Sequence, residues 1–419
     1  MSKLPQKQVK IFDTTLRDGQ QCPGAGMSFE KNLEYAHISA KAGVDILEAG
    51  FPSASQTDFK IVHTIASEFA GLTNSPIVAG LCQLREAQID KTIEALLPIT
   101  TCKRARLHVY LPVDPELMKA SLGELANKKD LLIQDVYRLV KKSFDAGCEV
   151  ELSPEGYSRM GNHFDFTTDI IRAAISGGAT VINCPDTIGG ACYLEGKDYF
   201  VEKMNQHANI MRTEFPDKNI TWSVHCHNDM GLALENSMNG VFLGPATQIE
   251  GCFNGIGERA GNVSLEQCIM YLKCFGHIGN GKNTFFTGSH IQYLKEISDF
   301  VSDNMLKRQA HWPVTGDNAA RHTSGGHTNA ILKNPLAYQP FDPRETGHEI
   351  TFLFGPMSGS NLAKSIIEKH GYTCAESEKV KITEYIKDYY ADRRKGITDQ
   401  ELMQAYLAFR QKEKQNGQS

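Results

Sequence analysis

What most constrains this chain is an alternation. Short β-branched runs, "VKIFDTT", "VDILEAGF", "SPIVAGL", "RARLHVYLP", "CEVELSP", "TVINCPD", "ITWSVHCH" and "TQIEGCFN", are each followed by a longer amphipathic or charged stretch, the last by "SLEQCIMYLKCFG" after a glycine-rich loop. Several of the intervening helices end in "AG" or "GG" directly before the next run ("KAGVDI", "DAGCEV", "SGGATV"), where glycine ends a helix in a left-handed conformation. Eight such units are complete by about residue 280, which favours an α/β fold of the (β/α)8 TIM-barrel type over a doubly wound open sheet. The expected organisation is a barrel over 1–284, a linker over 285–345 and a small helical C-terminal subdomain over 346–419. In the last of these, "ITDQELMQAYLAFR" has apolar residues near helical spacing, with Thr398 and Glu401 at capping-box spacing.

Composition narrows the partners. With 41% hydrophobic and 22% charged residues over 419 positions, the chain can bury a sizeable core. A formal charge of −5 and a pI near 6.3 argue against nucleic acid or an anionic membrane, either of which would need a concentrated basic face. Small molecules are the expected partners. The polar start "MSKLPQKQVK" does not read as a secretory signal and no window reaches the length of a membrane span, so a cytoplasmic location is expected. Eleven cysteines occur without a C-x-x-C pair, mostly in apolar runs, which points to reduced core thiols.

A barrel of this kind gathers its chemistry at the C-terminal ends of its strands. The polar residues of this sequence fall there: "TTLRDGQQ" after the first strand, "EAGFPSASQ" after the second, "LHVYLP", "ELSPEG", "NCPDTIGG", "HCHND" and "GCFNGIGERAGN" after the fourth to eighth. Arg17, Asp18, Glu48, His108, Glu155, Thr187, His225, His227 and Asn262 are thereby expected at one mouth. On a strand, His225 and His227 share a face and Cys226 points away from them. Two adjacent imidazoles are a metal site or an accident of packing. A carboxylate at another strand end favours the metal, because hard divalent ions take mixed carboxylate and imidazole ligands with open positions left for substrate.

Taken together, "FDTTLRDGQQCPGAGMS", "LEAGFPSASQTDF", "SPEGYSR", "NCPDTIGGA", "HCHNDMGLA", "EGCFNGIGERAGN" and "SGGHTNAILKNPLAYQPFDP" resemble the 2-isopropylmalate synthases. That family sits within the metal-dependent condensing and lyase TIM barrels that include the homocitrate and citramalate synthases. The match runs from about residue 8 to about 360. It implies condensation of acetyl-CoA, as co-substrate, with a 2-oxo acid, followed by thioester hydrolysis. "FPSASQTDF" favours 2-oxoisovalerate, the step that leads to leucine. The resemblance also implies a divalent ion (Mg2+, Mn2+ or Zn2+) held by Asp18, His225, His227 and Asn262, and Arg17 as the donor to the keto oxygen. Substrate contacts are expected from Arg17, Glu48, His108, Ser153 and Thr187, and the base that removes a methyl proton is expected to be Glu155 or His327. His327, grouped with His322, Ser324 and Thr328, matches a histidine that the neighbouring subunit of a homodimer supplies, and Tyr338 matches a tyrosine contributed the same way.

The sequence also departs from that pattern. Many relatives follow the strand-four histidine with "HTFIATS", whereas this chain has "HVYLPVDP"; the family's "GIHQDG" is "GGHTNA" and its "GKHSG" is "GPMSG". These changes bear on the choice of 2-oxo acid, leaving homocitrate or citramalate synthesis as alternatives. A carbon–carbon lyase or aldolase on the same barrel is the other alternative. Related lyases carry a cysteine in the loop after the eighth strand and stop soon after the barrel; here the loop is "GIGERAGN" and the chain continues. Full-length relatives add a leucine-binding regulatory domain beyond the helical subdomain. This sequence stops at Ser419, so the expectation is that leucine neither binds tightly nor inhibits.

Overall fold

The computed structural model describes residues 4–393 and 395–416. Its chain divides into two compact units, Met1–Arg308 and Gln309–Ser419. The first is a closed barrel of eight parallel strands: β1 (Lys10–Asp13), β2 (Ile46–Gly50), β3 (Ile77–Gln83), β4 (Ala105–Pro112), β5 (Glu149–Glu155), β6 (Val181–Asp186), β7 (Thr221–Cys226) and β8 (Ala246–Gly251). They neighbour one another in sequence order, and β1 closes on β8 with Lys10 opposite Gln248 and Asp13 opposite Gly251. All eight apolar runs named above form barrel strands, and a helix follows each of them.

Local chemistry explains where the helices begin and end. Ser28 and Ser55 cap the helices Phe29–Lys41 and Gln56–Ala70 by accepting from Lys31 and Asp58 backbone N–H groups, which would otherwise lack a partner. Gly43, Gly147 and Gly178 take positive φ (74°, 91° and 114°) and turn the chain into the following strand. Each helix buries one face; on Phe164–Gly177 it includes Phe166, Ile170, Ile171 and Ala174.

The barrel interior is unusual in carrying a buried polar column where branched aliphatics commonly dominate. Arg106, Glu151, Gln248, Ser223 and Glu250 are all fully buried. Arg106 Nη1 donates to Glu151 (2.9 Å) and to the Gln248 side-chain oxygen (2.8 Å), while Gln248 Nε2 donates to Glu151 (2.9 Å) and Ser223 (3.0 Å). Such a network is tolerable inside a protein because nearly every member has a partner.

The expected boundary at residue 284 falls elsewhere. Thr284–Phe286 pairs in parallel with Gln6–Gln8, and the helix Leu294–Asn304 buries Leu294, Ile297 and Val301 while Lys41 and Glu296 pair across at 2.8 Å. These contacts attach the segment to the barrel unit. The later part of the expected linker belongs with the helical end: Arg321–His322 pairs with Thr351–Phe352, and the helix Gly325–Lys333 is tied through Asn329 to Asn361 at 2.9 Å. The second unit also contains helices Ser360–Lys369, Lys379–Tyr389 and Asp399–Asn416 around a core of Leu362, Ile366, Ile367, Ile382, Ile386, Leu402, Tyr406 and Phe409. Its last helix starts with the anticipated capping box: Glu401 Oε2 accepts from the Thr398 N–H (2.8 Å) and Thr398 Oγ1 from the Glu401 N–H (3.3 Å). No helix among the described residues is long and apolar enough to cross a membrane, and all eleven cysteines are free thiols.

Candidate active site

The C-terminal ends of the strands surround a cleft of about 310 Å³. Arg17, Asp18, His108, Ser153, Glu155, Thr187, His225 and His227 line it, which brings together residues from the ends of β1, β4, β5, β6 and β7. Asp18 sits in the turn after β1, where backbone bonds to Thr14 O fold the chain back on itself. His225 is the penultimate residue of β7. His227, just beyond the strand, is held in place by a bridge to Asn262.

Three of the anticipated ligands converge. Asp18, His225 and His227 each offer an atom within 4.8 Å of the others, and all three residues are buried. The two imidazoles meet edge to face with ring centroids 5.0 Å apart and Nε2 atoms 3.3 Å apart, and His225 Nε2 lies 3.6 Å from Asp18 Oδ2. Burial and the neighbouring His227 depress His225 to about 3, and burial also lowers His227, so both rings are neutral at ordinary pH. Burial alone would raise Asp18, but the Arg17 guanidinium first, and then the Asn262 amide donating to the carboxylate, oppose burial, and the carboxyl is held well below the usual carboxylate range. Two neutral imidazoles and one carboxylate facing each other are the donor set that a divalent cation takes.

Asn262, the fourth anticipated ligand, donates Nδ2 to Asp18 Oδ1 at 2.8 Å and to Ile256 O at 3.1 Å. Its Oδ1 is buried without a hydrogen-bond partner, an acceptor left for a ligand. The loop that delivers it depends on Gly257. At φ +153°, a Cβ there would land on the Asn262 amide and stand 3.0 Å from Asp18 Oδ1.

Beside these groups lies an ordered polar cluster. Arg17 donates Nε to Glu48 and Nη1 to Asp18, both at 2.5 Å; burial alone would lower its pKa, but these two carboxylates outweigh it and raise it. Glu48 Oε1 contacts His108 Nδ1 at 2.7 Å; on the other side of the ring, Nε2 meets Ser153 Oγ at 2.7 Å, which also accepts from Asn183 Nδ2 at 2.9 Å. His108 is therefore fixed at both nitrogens. Burial raises the Glu155 carboxyl, with Arg17 opposing, which makes it a stronger base than an exposed glutamate. The Thr187 hydroxyl accepts from Gly156 N at 2.9 Å, joining the loops after β5 and β6.

His327 and Tyr338 belong to the second unit, where their rings stack at 4.0 Å and Tyr338 is 64% exposed. Several residues at the mouth or just beneath it escape the sequence reading. Tyr110 and Asn183 line the cleft, and Arg259 donates to Asp229 and to Thr187 O, tying together the loops after β6, β7 and β8. Another is Glu250, on β8 opposite His225. Its one visible signal is a glutamate inside the apolar strand "TQIEGCF".

Comparison with known proteins bears on this arrangement. Residues 8–301 match the HMGL-like family and residues 314–395 the homocitrate synthase post-HMGL domain-like family. The 2-isopropylmalate synthase of Rhodopseudomonas palustris (strain HaA2) is 36% identical over 403 residues, covering 96% of this chain and 72% of that protein. That of Aquifex aeolicus (strain VF5) is 36% identical over 401 residues, 94% and 72% respectively, and a probable 2-isopropylmalate synthase of Glycine max is 35% identical over 414 residues, 96% and 70%. Among solved structures, the HMG-CoA lyase from Brucella melitensis superposes with a TM-score of 0.54 at 15% identity, covering 71% of this chain and 98% of that one, a likeness of fold.

Proposed function

The chain belongs to the 2-isopropylmalate synthase family, and from that membership we propose that its barrel mouth condenses acetyl-CoA with 2-oxoisovalerate, releasing CoA and 2-isopropylmalate for leucine biosynthesis. The observation that carries the reading is the meeting of Asp18, His225 and His227 beside Arg17 in one buried cluster. We further assign the chain to the cytoplasm and to a homodimer.

A divalent ion, Mg2+, Mn2+ or Zn2+, fits the donor set of Asp18, His225 and His227, with Asn262 Oδ1 as the remaining acceptor. When bound, such an ion supplies Lewis-acid polarisation of the 2-oxo acid. Arg17, with Nε and Nη1 tied to carboxylates, keeps Nη2 for the keto oxygen as negative charge grows there during attack by the acetyl carbanion. Glu48 and Ser153 hold His108 in one orientation toward the substrate, and Thr187 lines the same cleft. Glu155, its basicity raised by burial, is suited to take a methyl proton from the thioester; His327, supplied with Tyr338 by the partner subunit, is the alternative base. A new carbon–carbon bond then joins the methyl carbon to the keto carbon, and water cleaves the thioester to give a carboxylate and free CoA thiol.

The test is release of thiol from acetyl-CoA with a panel of 2-oxo acids. Turnover is expected to be greatest with 2-oxoisovalerate and to vanish on exhaustive chelation. Full activity in metal-stripped protein would overturn the metal assignment. A preference for pyruvate or 2-oxoglutarate would move the enzyme to citramalate or homocitrate synthesis, and cleavage without acetyl-CoA would make it a lyase.

A further inference from the structure

We infer that Glu250 is a positioning residue for the metal site, holding the His225 ring from behind so that Nδ1 faces the barrel interior and Nε2 faces the ion. The inference rests on the reading of Asp18, His225 and His227 as ligands.

His225 and Glu250 are directly opposite each other on β7 and β8. Glu250 Oε2 lies 3.7 Å from His225 Nδ1, and both atoms are buried without a hydrogen-bond partner. Two complementary groups left unsatisfied within a small movement of each other are costly unless they join, because neither can reach water. On the opposite side of the ring, Nε2 points at Asp18 and His227. A neutral imidazole coordinates through one nitrogen and carries its proton on the other, and the acceptor that meets that N–H fixes both tautomer and ring orientation.

Glu250 is itself held in place. Its Oε1 accepts from Ser223 Oγ at 3.0 Å, Ser223 accepts from Gln248 Nε2, and Gln248 is locked by Glu151 and Arg106. The polar column in the barrel thus braces one carboxyl against the back of a ligand. A hydrophobic residue at 250 would fill the same space and leave His225 Nδ1 orphaned.

The experiment is calorimetric titration of metal-free protein with Mn2+ in the absence of substrate, for the wild type, Glu250→Ala, Glu250→Gln and Ser223→Ala, with a thermal melt of each metal-free protein. Glu250→Ala is expected to bind Mn2+ about 10–100-fold more weakly. Glu250→Gln, whose side-chain oxygen can accept from the same N–H, is expected to stay within a few-fold of wild type. Ser223→Ala touches no ligand and is expected to weaken binding by a smaller factor, which keeps the question open to test if Glu250→Ala does not fold. Wild-type affinity in both Glu250→Ala and Ser223→Ala, or equal loss in Glu250→Gln and Glu250→Ala, would overturn the inference. Failure of the wild type itself to bind Mn2+, Mg2+ or Zn2+ would instead overturn the ligand assignment on which it stands.

Discussion

Two of the three guanidinium nitrogens of Arg17 are occupied by Glu48 and Asp18. That fork is beyond a lysine, which is a point charge with no rigid geometry. Truncating Arg17 removes the donor proposed to meet developing charge, so Arg17→Ala is expected to lower kcat about 10²–10³-fold. Calorimetry should still find the divalent ion bound, because Asp18, His225 and His227 remain. An unchanged kcat would take Arg17 out of the mechanism. The same residue shows why pairs adjacent in sequence mislead. Arg17 and Asp18 read alone as a surface ion pair, the ordinary fate of such neighbours; their near-complete burial and the third partner Glu48 place them in the lining of the cleft instead.

At the scale of elements, the loop after β5 is anchored by His207 on the helix Phe200–Glu214. Its Nδ1 meets the Tyr157 hydroxyl at 2.6 Å, its Nε2 the Thr168 hydroxyl at 3.0 Å, and Phe164 stacks on the ring at 4.2 Å. Burial pushes this histidine down from 6.5 to about 4. The unfolded chain therefore binds a proton that the folded chain refuses between those two values. Stability from this group is complete above about pH 6.5 and falls as the pH drops toward 4, by on the order of 3 kcal/mol at most. Urea unfolding at a series of pH values should show that decline, and His207→Gln should flatten it while lowering the plateau. A slope identical to the wild type would remove His207 as its source. The helix Leu294–Asn304 works on the site in a comparable way, since its Ser298 carbonyl accepts from Asn254 Nδ2 at 2.8 Å and steadies the start of the loop that carries Asn262.

For the whole molecule, the proposed alternative base His327 and its neighbour tyrosine lie outside the barrel unit, in the unit that begins at Gln309. If His327 serves the partner's cleft, two inactive variants can repair each other. Mixing Asp18→Ala with His327→Ala chains should restore part of the activity, because one of the two sites in a mixed dimer is intact; absence of recovery, with subunit exchange demonstrated by mass, would return His327 to its own subunit or remove it from catalysis. The organisation into units was only partly legible. The break after 308 rather than 284 comes from the pairing of Thr284–Phe286 with Gln6–Gln8, two segments at opposite ends of the barrel sequence.

Periodicity and punctuation are local properties, and they were enough for the barrel. A period of two placed His225 and His227 on one face, glycines at positive φ closed the helices, and the strand-end rule collected Asp18, His108, Glu155 and Thr187 at one mouth. Which atoms meet there is another matter. Asp18 and Asn262 are 244 residues apart, and Glu48 and His108 are 60 apart. Their contacts depend on the stagger of eight strands around a closed cylinder, which no single segment encodes. Glu250 is the sharpest case. In its strand it is a charged residue among apolar ones, and only the register of β8 against β7 puts its carboxyl behind His225. Local alternation says which face a side chain takes, whereas its partner is set by chain closure, an energetic outcome of the whole barrel packing at once.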